Sequence, residues 1–319
     1  MPSLPTQNLE LVVLALVLLA DYLLPLAYRF SPAFAMRQLA HALSLKLVKK
    51  QSLTQLPLSG YLALITYLVL IGILMAAILF IAPDDIWTEG ILLYFSLGYQ
   101  ACARQLKQLQ TCIAHQQKSA ARSLLAKLSE YNTDKLSILG LNKLSVEVAT
   151  QRFVSEWLMP VVLFLSLGGI AAFLFRALVE AHKAWVPSSP QHQAFGRGAF
   201  QSKNMLELLP TWLIAPIYSV FKSSPGWFSL VRSARPVWRQ SAVSSFNHLV
   251  WLSIVSAGCK SELAGPVMLK QHKHRRPRLN QGLPINDKAI TQILNWNLRF
   301  QTFILIFLLT LLFLLGTKQ

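Results

Sequence analysis

At 319 residues, 54% hydrophobic and only 13% charged, with a mean hydropathy of +0.44, the chain has the composition of a membrane protein. A soluble domain carries about 25% charged residues. The net charge of +17 comes from basic residues set between apolar runs, with no nucleic-acid-binding motif beside them. Positive-inside placement and attraction to anionic lipid account for it, so no nucleic-acid partner is expected. Cys102, Cys112 and Cys259 are odd in number and scattered, which argues against a disulfide framework and against metal-ligand spacing.

In chain order, Leu9 to Leu26 reads as the first span; it lacks a basic n-region and is long enough to stay in the membrane. Asp21 lies near its end, where an ion pair with Arg29 or a shallow interfacial position is the plain reading. Residues 29–58 hold Arg29, Arg37, Lys46, Lys49 and Lys50 and no acid. There Phe34, Leu39, Leu43 and Leu47 predict an amphipathic helix on the cytoplasmic surface. Residues 62–81 form a uniformly apolar second span, and the acidic loop Pro83-Asp84-Asp85 after it is expected outside. Residues 91–102 read as a short or tilted span. Residues 104–152 turn helical and basic, hence cytoplasmic, with Leu124, Leu125, Leu128, Leu136 and Leu139 as an apolar face.

The stretch from Phe153 to Pro210 is the one the rest of the chain is organised around. Its apolar run, 155–175, is broken by Pro160 and by Gly168-Gly169; it is followed by Arg176, Glu180, His182 and Lys183 and then by a polar loop. Such breaks are tolerated in a membrane where neighbours re-satisfy the backbone. Residues 206–221 contain Pro210 and Pro216 and read as re-entrant or interfacial. Residues 223–298 are basic and expected in the cytoplasm, and 299–315 is the last span. The expectation is an all-α, polytopic integral membrane protein: one domain over 1–319 with about five (four to six) membrane helices and cytoplasmic helical segments. Parity leaves open whether 155–175 and 206–221 cross or re-enter.

His272-Lys273-His274-Arg275-Arg276-Pro277-Arg278 is too cationic to hold a dication; it reads as inside-facing charge, with phosphate binding as the alternative. No phosphate-binding loop, dinucleotide fingerprint or nucleophile motif is present, so no catalytic residue and no metal ligand is assigned.

Several fragments together resemble the CobD/CbiB family, the membrane-bound adenosylcobinamide-phosphate synthases of cobalamin biosynthesis. They are Leu19-Ala20-Asp21-Tyr22-Leu23-Leu24, Met159-Pro160-Val161 through Gly168-Gly169, and a block from Phe175 to Pro210 in which Arg176, Ala177, Phe195-Gly196 and Pro210 keep their places. Ser245-Phe246-Asn247 through Leu263-Ala264-Gly265-Pro266 and then Arg276-Pro277 complete the set. The resemblance implies an inner-membrane enzyme joining adenosylcobyric acid to an aminopropanol (phosphate), with ATP and Mg²⁺ if that activity is retained. It also implies a pocket lined by Asp21, Asn247, Gly265, Pro266 and Arg276.

The departures run one way. Val179 and His182 stand where the family pattern has Asn and Asp, Lys203-Asn204 replaces an Asp pair, and Glu207 replaces an Asn. Mg²⁺ and phosphate chemistry needs carboxylate oxygens. The same loss of acids marks the related AmpE proteins, inner-membrane proteins linked to β-lactamase regulation. Two functions are therefore expected as alternatives: a corrinoid synthase, or a non-catalytic AmpE-like regulatory protein with a membrane or signalling partner. Membrane lipid is the expected surrounding in either case.

Overall fold

A computed structural model describes residues 6–48, 52, 54–82, 85–185, 189–220, 245–269, 272–274, 276–280, 284–286 and 288–316. The expected Asp84 loop residue and the basic run 221–244 lie outside the described residues.

The helices, in chain order, are α1 (Thr6–Leu23), α2 (Pro32–Val48), α3 (Leu56–Ile81), α4 (Asp85–Ser96), α5 (Tyr99–Ala114), α6 (Lys118–Leu128) and α7 (Ile138–Phe153). A π-turn, Val154–Leu158, carries α7 directly into α8 (Met159–Leu167). Then come α9 (Gly169–Ala184), α10 (Pro190–Phe195), α11 (Arg197–Val220), α12 (Phe246–Cys259) and α13 (Ala289–Gly316). Between the last two lie four short strands in two antiparallel pairs. Leu263–Ala264 (β1) pairs with Arg278–Leu279 (β4), and Val267–Leu269 (β2) with His272–His274 (β3). The fold is thus almost wholly helical, and the segment expected to be helical around 263–279 is instead β.

Among the described residues, three helical stretches are long and apolar enough to cross a membrane: Leu56–Ile81, Ile138–Leu167 and Ala289–Leu314. The first and last bury only 22% of their most apolar windows inside the protein, so they present apolar side chains outward, as lipid-facing helices do. The 138–167 stretch is instead 72% buried inside the protein over its most apolar window. The expected span 91–102 is two helices, because α4 ends at Ser96 and α5 begins at Tyr99. The expected re-entrant segment 206–221 is the second half of one continuous helix, α11, which carries Pro210 and Pro216 in its interior.

α9 sits at the centre, packed against α2, α3, α4, α8 and α11. Gly168 makes this possible. Its φ of +84° breaks the helix, and a side chain on Gly169 would come within 2.5 Å of the Glu89 carbonyl oxygen, so α4 crosses in direct backbone contact. α2 packs on α9 in an unexpected way. It buries Ala33, Met36, Ala40, Ser44 and Val48, whereas Phe34 and Leu39 of the expected apolar face are exposed. Small residues at helical spacing allow close approach, and Trp185 Nε1 donates to the Ala40 carbonyl at 2.7 Å across this contact. In α6 the expected apolar face holds: Leu125 and Leu128 are buried, together with Ala121.

The far half of the core is aromatic. Phe153 stacks on Trp157 at 5.4 Å, and Tyr99, Tyr218 and Phe300 surround Phe153. Tyr218 donates to Asn297 Oδ1 and Asn297 Nδ2 donates to Tyr99 Oη, both at 2.6 Å. That chain of bonds ties α5, α11 and α13 together and satisfies buried polar groups that would otherwise be costly. All three cysteines are free thiols, and Cys102 is buried.

Candidate functional site

The π-turn turns Glu156 into the protein interior, where three cations surround it. Arg152 pairs with it from one turn back, Lys183 Nζ lies 2.5 Å from Oε1, and Arg176 Nη1 lies 3.2 Å from Oε2. Lys183 and Arg176 also reach Glu180 Oε1 at 2.6 and 3.1 Å, and Tyr28 donates to Glu180 Oε2 at 3.0 Å. Three cations against two carboxylates leave this buried hub with one excess positive charge. Gly98 is part of it: a side chain there would meet Arg176 Nη1 at 2.8 Å.

Beside the hub opens a cavity of about 860 Å³ between α3, the end of α9, α10, the first half of α11 and the start of α12. Its polar wall includes His182, Gln193, Arg197, Gln201, Asn204 and Asn247; its apolar wall includes Trp185, Phe200 and Phe246. Tyr61 donates to Gln201, and Asn247 Nδ2 donates to the Asn204 carbonyl at 2.7 Å, joining α12 to α11. Asn247 Oδ1 is left buried without a hydrogen-bond partner. The helix cap here is Ser245, whose side chain accepts from the His248 amide; Asn247 is therefore not the cap. Burial first, then the Lys203 and Lys183 ammonium groups, hold the His182 imidazole down at a pKa of about 3, so it is neutral at pH 7. A second space, of about 20 Å³, lies behind His182 against Glu130, Arg152, Lys183 and Lys203, with room for about one water.

Among the described residues, no carboxylate lines the large cavity. The buried acids near it are all held by cations. Glu207 accepts from Ser155 at 2.9 Å and pairs with Lys203 at 2.7 Å, and Glu156 and Glu180 belong to the hub. The segments 186–188 and 221–244, which adjoin the cavity in sequence, contain no Asp or Glu. Among the described residues no group of three or more His, Cys, Asp or Glu is placed to hold a metal. The residues present therefore do not fit a Mg²⁺–nucleotide site, whose metal takes oxygen ligands.

The five residues expected to line one pocket occupy three places. Asn247 is in the cavity wall. Asp21 is buried on α1, under the charges of Arg176 and Arg104, with Oδ2 unpartnered. Arg276 and Gly265 are together: Arg276 Nε donates to the Gly265 carbonyl at 3.0 Å, Nη2 lies 2.7 Å from Glu147, and the guanidinium stacks over Tyr131 at 5.3 Å. Pro266 follows them, exposed, in the turn between β1 and β2. His182 and Asn204, singled out in the sequence as departures, do reach the cavity. Arg197 and Gln193 were not foreseen; the signal was Phe195-Gly196, the matched pair between them.

The sequence profile of the CobD/Cbib protein family matches residues 13–297. The chain belongs to the CobD/Cbib family. The match runs from α1 into the first third of α13, so the cavity, the hub and the β segment all lie within the family's domain. No curated protein and no solved structure matches the chain.

Proposed function

We propose that this CobD/Cbib-family protein is a multi-pass membrane protein, in a bacterial inner membrane, that binds a polar or anionic ligand of the corrinoid pathway without carrying out metal-dependent amide formation. The observation that carries this is the cavity wall: amides, a neutral imidazole and Arg197, with no carboxylate, and nearby acids already neutralised by lysine and arginine. Arg197 makes no ion pair among the described residues and would hold a carboxylate or phosphate. Turnover of a metal nucleotide there would lack protein ligands for the metal; losing even about 4 kcal/mol of transition-state stabilisation slows a step roughly a thousandfold. This reading is nearer the AmpE-like, regulatory alternative, with a membrane or signalling protein as the proposed partner.

The second reading is adenosylcobinamide-phosphate synthase activity, favoured by the family match over nearly the whole chain. Complementation of a synthase-null host fed cobyric acid separates the two. The expected result is no growth; growth at the rate given by the authentic enzyme would replace the binding reading with the enzymatic one. Orientation has its own check, since the half-buried Cys112 should react with a membrane-impermeant maleimide only in opened cells.

A further inference from the structure

Around α3 from the main cavity runs a further depression, a groove of about 530 Å³ between the end of α2 and the start of α3. Pro57 and Tyr61 line the cavity, whereas Leu58 and Leu62, each one position on and about 100° around the helix, line the groove. Leu43, Leu47 and Ala63 complete its apolar wall.

We propose that this groove seats an acyl chain of an anionic phospholipid from the surrounding bilayer, with Lys46 holding the headgroup. The groove is continuous with a lipid-facing surface. It opens on α3, the most apolar helix of the chain, and Leu58 and Leu62 are 67% and 57% exposed. Gln55, Ser59 and Thr66 are its polar lining, and the Thr66 hydroxyl is already spent, donating to the Leu62 carbonyl at 2.9 Å. Lys46 stands beside the groove by register. Leu43, Lys46 and Leu47 are spaced i, i+3, i+4 and share one face of α2. Lys46 is exposed and makes no ion pair among the described residues. The chain has no Asp or Glu between Asp21 and Asp84, so no nearby sequence acid competes with a lipid phosphate. A mostly apolar slot with a cation beside it on the same helix face matches a lipid in both its parts.

The test is native mass spectrometry of the full-length protein released from nanodiscs of mixed phosphatidylglycerol and phosphatidylcholine. The wild type should keep one phospholipid after the annular shell is stripped, with phosphatidylglycerol preferred. Leu62→Trp, which fills the groove, should lose that lipid. Lys46→Glu, at an exposed position, should keep a lipid but lose about fivefold of the headgroup preference. Gel filtration and melting show whether each variant is folded. If Leu62→Trp fails to fold, Leu58→Trp takes its place. Retention of the lipid by a folded, groove-filled variant overturns the proposal. So does loss of every lipid from the wild type along with the shell. A dimer that dissociates on filling the groove would assign it to a second copy of the chain instead.

Discussion

Lys203 Nζ lies 2.7 Å from Glu207 Oε1, one turn along α11. The pair is buried and Ser155 supplies a further bond to Glu207, so the carboxylate is satisfied within the protein. An acid in this state has no free charge to offer a metal. The lysine thus neutralises the acid one turn on.

Lys203→Asp should reverse this. It removes a buried cation and leaves two carboxylates one turn apart, so the variant should melt well below the wild type, by about 3–5 kcal/mol of stability. Added Mg²⁺ or Mn²⁺ should restore part of the loss, while the wild type should not respond. Thermal-shift assays with and without the dication read both effects; an unresponsive variant would separate charge reversal from metal loss.

The hub should be far less tolerant than the surface. Glu156→Gln strands Arg152, Arg176 and Lys183 in the interior and should cost about 3–5 kcal/mol. Glu262→Gln breaks the half-exposed Lys143 pair and should cost no more than about 1 kcal/mol. Denaturant titration of both variants in one detergent makes the comparison direct.

Gly98→Ala should destabilise through overpacking, by about 1–3 kcal/mol, since its methyl group meets the Arg176 guanidinium at 2.8 Å. Gly72→Ala is the internal control, because its nearest neighbours are Leu174 methyls at 3.8 Å. Equal melting temperatures for the two would show that Arg176 moves aside freely.

The His182 imidazole titrates near 3 in the folded protein and near 6.5 when unfolded. Between those values the unfolded chain binds the extra proton, so stability from neutral His182 is whole above pH 6.5 and drains away as pH falls toward 3. His182→Gln should flatten this decline. Melting temperatures at pH 7 and pH 4.5 should fall further in the wild type than in the variant.

Hydropathy picked out the two long apolar helices that face outward and the central place of the stretch around Pro160 and Gly168-Gly169, because those depend on long apolar runs and on glycine. The family resemblance drew attention to His182 and Asn204, and the structure brings both to one cavity. Other features depended on three-dimensional partners. The small face of α2 is buried because α9 is close, which no periodicity of large residues reports. The break at Leu97-Gly98 lets Arg176 in, and nothing local marks it. Arg276 matched a family motif, yet its partners Glu147 and Tyr131 lie far away in sequence, so its distance from the cavity was not legible.

The π-turn at Val154–Leu158 has a consequence of its own. There the Met159 amide reaches back five residues to the Val154 carbonyl, so the helix carries one residue more than a regular α-helix would use over the same path. Removing a single residue from that turn would leave an unbroken helix with every apolar residue type still present. It would also rotate one half against the other by about 100°. Either Glu156 would swing away from Lys183 and Arg176, or Phe153 would leave its aromatic nest. The hub is therefore held by a count of residues as much as by their identities, and a relative one residue shorter at this turn would share the fold without sharing the charge centre.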